Sequence, residues 1–123
     1  MIKIVFLLSV IVFLFGCSTQ TPKKYHERYY QTKLCKQLDG KMEVRLPDKT
    51  RVDCLTQEYA IEVDFAKKWA EGIGQSLYYA EVTKKQPAVG LIVGKKDQRY
   101  LKRLQKVAQK YAIEIFIIEK EKK

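Results

Sequence analysis

The spacing of hydrophobic residues changes several times along the chain. Ile4 to Phe15 is an apolar run interrupted only by Ser9. Ser18 to Lys24 is polar, contains Pro22, and reads as a short tether. Between Tyr25 and Leu38, Tyr30, Leu34 and Leu38 recur every four residues, which places them on one face of a helix. Asp39-Gly40 is a turn signal that ends it. From Lys41 to Leu46 the period falls to two, with Met42, Val44 and Leu46 on one side, as in a strand. Pro47-Asp48-Lys49 turns the chain into a second strand, Arg51 to Leu55. Thr56-Gln57-Glu58 turns it into a third, Tyr59 to Ala66, rich in Ile, Val and Phe.

The helical period returns from about Lys67 to Val82, where Trp69, Ile73, Leu77 and Ala80 form an apolar stripe. Gly72 and Gly74 each cost about 1 kcal/mol relative to Ala in such a helix, so the backbone there is expected to approach something closely. Pro87 to Val93 is a short, continuous apolar run with β-branched residues, as expected of a buried strand. Asp97 reads as an N-cap. The helix after it places Tyr100, Leu101, Leu104, Val107, Ala108 and Tyr111 on one face. Ile113 to Ile118 is a last strand, and Glu119 to Lys123 is a solvated charged tail. The order αβββαβαβ predicts an α/β domain: a mixed central sheet with helices packed on its faces.

The N-terminal run has its own meaning. Lys3 is the only charge in the first sixteen residues. A short basic end before an apolar stretch has the form of a secretory signal, and the stretch falls short of the roughly 20 residues that span a bilayer. Leu14-Phe15-Gly16-Cys17 resembles the bacterial lipobox. The resemblance implies a diacylglyceryl group on the Cys17 thiol, cleavage before it and acylation of the new amine. The alternative is an uncleaved N-terminal membrane anchor. Both readings export the chain and tether it to a membrane, and Ser18 after the lipidated position implies the outer membrane in a Gram-negative host. The expected organisation is a signal peptide over 1–16, anchor and tether over 17–24, a domain over 25–119 and a charged tail over 120–123.

The chain of 123 residues has a formal net charge of +10, and losing Lys3 with the signal leaves +9. Such an excess raises affinity for nucleic acids or anionic membrane surfaces, although exported proteins can be basic without a specific partner. Of three cysteines, Cys17 is taken by the lipid. Cys35 and Cys54 remain as an even pair in an oxidising compartment, where a disulfide is expected, with two buried thiols as the alternative. Cys54 follows Asp53 on the second strand and so points to the opposite face from it, where a packed first helix would bring Cys35.

Asp53 sits inside the second strand, and Glu62 and Asp64 inside the third. Residues two apart on a strand face the same way, so Glu62 and Asp64 project together, and pairing of the two strands puts Asp53 beside them. Three carboxylates so placed repel one another unless a cation neutralises them. Oxygen-only ligands suit Mg²⁺ or Mn²⁺, ions that support phosphodiester hydrolysis. The bland alternative is a solvated strand face. His26 is the only histidine and reads as a surface residue. No Ser/His/Asp triad, Gly-rich phosphate loop or Cys-x-x-Cys pair occurs, and nothing implies a small-molecule cofactor or an oligomeric state.

This order of elements, with Asp53 on the second strand and Glu62-x-Asp64 on the third, resembles the PD-(D/E)XK, or restriction-endonuclease-like, nuclease superfamily from Tyr25 to Ile118. The resemblance implies metal-binding roles for Asp53 and Glu62 and Mg-dependent cleavage of DNA. The third motif position is usually Lys and here is Asp64. Some members with an acid there still cut DNA, and others that lose the Lys are non-catalytic binding modules. Lys67 or Lys68 could supply the missing ammonium. Gln75 and Tyr79 match a Q-x-x-x-Y helix motif of the RecB-like and phage-exonuclease branches, and Glu27 resembles an extra acid some members use. The segments Arg51–Leu55, Ala60–Trp69 and Gly74–Ala80 are similar to stretches of small nuclease-like proteins. The expectation is therefore a membrane-anchored lipoprotein with a nuclease-like domain. The alternative is a non-catalytic lipoprotein using the fold for binding or structure.

Overall fold

A computed structural model of the chain describes residues 25–122. The expected signal over 1–16, the expected lipidation position Cys17 and the expected tether over 18–24 lie outside the described residues. The elements are helix α1 (Glu27–Gln37), strands β1 (Lys41–Arg45), β2 (Arg51–Leu55) and β3 (Tyr59–Phe65), a 3-10 turn over Ala66–Lys68, helix α2 (Trp69–Thr83), strand β4 (Gln86–Val93), helix α3 (Gln98–Tyr111) and strand β5 (Glu114–Glu119). The fold is mixed α/β, in the order αβββαβαβ. Short turns join β1, β2 and β3, so these pairs are antiparallel. Helices join β3 to β4 and β4 to β5, so those pairs are parallel, and the spatial order is β1-β2-β3-β4-β5.

Right-handed crossovers in the same direction along a sheet place both connecting helices on one face. Two of the three buried clusters reflect this. Val89, Leu91, Leu101, Leu104 and Ala108 pack under α3, with Trp69, Ile73 and Leu77 of α2 against them. On the other face Tyr30, Leu34 and Cys35 of α1 meet Cys54, Ile61, Val63, Ala88 and Ile92. The Tyr30, Leu34, Leu38 stripe therefore buries as expected, with Leu38 at its edge. The disulfide also forms: Cys35 and Cys54 are joined with their Cα atoms 5.6 Å apart, which ties α1 to β2. Gly40 makes room for it, because a Cβ there would sit 2.9 Å from Cys35 Sγ.

Three local expectations are corrected. The deepest line of α2 is Gly72, Ser76, Tyr79 and Ala80, while Trp69, Ile73 and Leu77 are half-buried and turn toward α3. A second helix beside α2 shifts which face is covered, and that is invisible in the spacing. Asp97 stands at the N-terminus of α3 without capping it; its Oδ2 accepts the Gly94 N–H at 2.8 Å instead. The C-terminal tail is not wholly solvated. Lys120 N–H donates to the Val93 carbonyl at 3.0 Å, Glu121 N–H to the Tyr30 hydroxyl at 3.1 Å, and Glu121 pairs with Lys33 of α1 at 3.1 Å.

Candidate functional site

The alternation of β3 divides its side chains cleanly. Ile61, Val63 and Phe65 face α1. Ala60 packs with Tyr79, and Asp64 lies under Gly72, so this second set faces α2. Glu62 and Asp64 are 6% and 3% exposed, too deep for a solvated strand face.

Asp53 reaches them because the sheet is interrupted there. β2 pairs with β3 at Cys54–Ile61 and Leu55–Ala60 and at no earlier residue. In place of the next backbone bond, Asp53 Oδ2 accepts the Val63 N–H at 2.8 Å. The Asp53 carbonyl, released from the ladder, accepts Gln31 Nε2 at 2.8 Å, and the same amide donates to Glu43 Oε1 at 3.0 Å. Across the β1–β2 pair, Met42–Cys54 and Val44–Val52 bracket Glu43, which sits in the left-handed region with φ 53°. That conformation costs a non-glycine residue about 1–2 kcal/mol. The distortion leaves Cys54 in the α1 cluster and Val52 in the cluster with Ala60 and Tyr79, although two residues apart on a regular strand share a face. Asp53 occupies the crossing point.

The electrostatics show how close these groups are. Burial pushes the Glu62 carboxyl up to about 9, reinforced by repulsion from Asp53 and Asp64. Burial raises Asp64 to about 7, with Glu27 of α1 adding repulsion and Lys68 opposing it. Asp53 rises to about 6 through burial, against the hydrogen bond from Val63 and with repulsion from Glu43 and Glu27. Glu62 Oε2 and Asp64 Oδ2 are buried without a hydrogen-bond partner among the described residues. Orphaned acceptors of this kind usually point to an ion, a water or a proton.

The other anticipated residues divide. Tyr79 is buried beside the cluster, its phenol pushed up to about 12 by burial and then by Glu62, Asp53, Asp48 and Asp64. Lys68, at the start of α2, opposes the rise at Asp64, and Lys67 beside it is exposed. Gln75 is exposed and forms no hydrogen bond with the carboxylates among the described residues. His26 is exposed, as expected. Sequence reasoning did not single out Gln31, although it lies four residues after Glu27 and so on the same helical face. A Gln 4% exposed beside the Tyr30–Leu34 stripe is a buried amide that needs partners, and Asp53 and Glu43 supply them.

Among the described residues, no three His, Cys, Asp or Glu side chains are already gathered around a common metal position. The cluster is a set of adjacent, mutually repelling carboxyls with Lys68 on its border. A separate cleft of about 860 Å³ lies on the α1 face beside the C-terminal tail, lined in part by Tyr30, Lys33, Lys95 and Lys120, and none of the anticipated site residues lines it. Comparison with protein-family models, with curated proteins and with solved structures found no match.

Proposed function

We propose that this chain is a membrane-anchored lipoprotein, lipidated at Cys17, whose domain has the restriction-endonuclease-like fold and hydrolyses phosphodiester bonds of DNA with Mg²⁺ or Mn²⁺. The observation that carries this reading is the pair of partnerless, buried oxygens on Glu62 and Asp64 next to Asp53. Buried acids without partners are costly, and a hard divalent cation would satisfy them. Asp53, Glu62 and Asp64 are the residues that would hold it. When bound, such an ion polarises a phosphoryl oxygen and lowers the pKa of water.

The remaining roles belong to the protein. Lys68 places an ammonium at the border of the carboxylates, where it can meet the charge of a phosphate in place of the missing motif Lys. Lys67, one residue earlier, is left for the strand outside the site. Tyr79 stays a neutral phenol across the physiological range and can donate a hydrogen bond. Gln75, exposed one turn away, is free to contact the nucleic acid. Glu27 adds a fourth acid from α1.

A second reading is a non-catalytic lipoprotein that uses the same fold to bind. The absence of a gathered three-ligand set among the described residues favours it, as does Asp64 at the Lys position. Incubating the purified mature chain with plasmid DNA separates the two. Mg²⁺-dependent cleavage that disappears in Asp53→Ala and Glu62→Ala, with both variants still folded, supports the enzyme. No cleavage by the wild type with Mg²⁺ or Mn²⁺ leaves the binding module.

A further inference from the structure

The excess positive charge is concentrated on one element. Residues 95–111 contain seven Lys and Arg and a single acid, Asp97, which is occupied with Gly94. Within α3, Arg99, Lys102, Arg103, Lys106 and Lys110 are all exposed. At 3.6 residues per turn they fall within an arc of about 100° on the side away from the buried Leu101, Leu104 and Ala108. None of the five is in an ion pair among the described residues, where the pairs are Arg28–Glu43, Lys33–Glu121, Arg51–Glu43 and Lys84–Glu81. Arg99 and Arg103 lie 4.8 and 5.8 Å from the Tyr100 ring centroid, which holds them along the helix surface. Tyr111, on the apolar side of the helix at its far end, is expected to pack but is 51% exposed.

We infer that this face of α3 docks on a surface of anionic phospholipid headgroups. A straight cationic stripe about 20 Å long complements a plane of negative charge. Its position also fits a chain anchored in the membrane at Cys17, the reading on which this inference rests. Tyr30, in the first turns of α1, lies against Phe65 at the end of β3 and against the tail that bonds Val93 at the end of β4. The tether therefore enters the domain at the same end of the sheet where α3 begins. The eight peptide steps from Cys17 to Tyr25 reach about 30 Å when extended, enough to cross from the α1 layer to the α3 layer, about 20 Å apart. Nucleic acid is less well matched. α2 packs on β3 and β4, between the stripe and the carboxylates, so a strand held in the site would not lie along α3. With α3 on the bilayer, the carboxylate side of α2 stays open to solvent.

The test uses the mature chain carrying Cys17→Ser, so that no acyl chain contributes and the surface is judged apart from the anchor. Co-sedimentation with phosphatidylcholine vesicles, with and without phosphatidylglycerol, should show binding only to the anionic vesicles and release at high salt. Replacing Arg99, Lys102, Arg103, Lys106 and Lys110 together by Gln should weaken that binding about a hundredfold or more, since each basic residue near the surface contributes a factor of about five. Replacing Lys36, Lys41, Arg45, Lys49 and Lys84 by Gln removes the same charge elsewhere and should retain most of it. All ten positions are exposed, and far-UV circular dichroism checks the fold. Three results would each overturn the inference: no wild-type binding to anionic vesicles, equal losses in the two variants, or a loss in the α3 variant confined to duplex DNA.

Discussion

Glu62 is the most perturbed acid in the structure, and its environment makes a measurable demand. Burial first, then Asp53 and Asp64, raise it to about 9, with Asp64 at about 7 and Asp53 at about 6. The folded, metal-free protein thus keeps protons that the unfolded chain has released. Its stability should be fullest below the ordinary carboxyl pKa of about 4 and should fall as the pH rises toward 9. Glu62→Gln removes the steepest part of that decline. It should raise the melting temperature of metal-free protein at pH 8 by roughly 5–10 °C and change it little at pH 4. Added Mg²⁺ should raise the wild-type melting temperature at pH 8 and leave Glu62→Gln unmoved. A wild type equally stable at pH 4 and pH 8, by thermal denaturation without metal, would show that these carboxyls are not strained.

Helix α2 carries two glycines in nearby positions with opposite meanings. A Cβ on Gly72 would lie 3.2 Å from Asp64 Oδ2 and 3.3 Å from Val89 Cγ1, both in fully packed surroundings. Gly74 has nothing within 4 Å of that position. The close approach expected of both is met only by Gly72. Gly74→Ala should therefore stabilise the protein by up to about 1 kcal/mol through helix propensity. Gly72→Ala gains the same propensity but pushes α2 away from the sheet, and should destabilise by about 1–2 kcal/mol. Urea denaturation of the two variants distinguishes them, and equal shifts of one sign would contradict this packing.

For the whole chain, one covalent link fixes the domain internally, and a second, the proposed lipid, would fix where it sits. The Cys35–Cys54 disulfide joins α1 to β2 and closes a loop with a sequence separation of 19. In the chain-entropy picture this is worth about 3 kcal/mol, so Cys35→Ala with Cys54→Ala should lower the unfolding free energy by that amount in denaturant titration. An unchanged midpoint would mean that the unfolded state is not constrained by the bridge. The expected lipid is tested separately. Cys17→Ser should abolish labelling by a fatty-acid analogue and leave the protein in the aqueous phase of a detergent partition or as uncleaved precursor. Wild-type protein that takes up no label would remove the anchor.

Most of the architecture could be read from residue spacing. The period-four stripe of α1, the alternation of β3 and the face of α3 each follow from burial of one side of a regular element, the apolar run of β4 from burial of both, and local turn residues determine which strands are antiparallel. The alternation expected of β1 fails: Met42 packs on the α1 side and Val44 and Leu46 on the other, because the left-handed backbone at Glu43 switches the faces. The same alternation put Glu62 and Asp64 side by side and turned Cys54 toward α1. What spacing could not show depends on neighbours far along the chain. Asp53 joins the carboxylates only because β2 leaves β3 there, a break held by Gln31 from α1 and by the left-handed backbone of Glu43. The buried face of α2 is set by α3 beside it, and the docking of Glu121 on Tyr30 by the end of a strand meeting a helix 91 residues away. Local periodicity encodes which side of an element is apolar; only the packed structure decides which polar groups lose water together and so acquire chemistry.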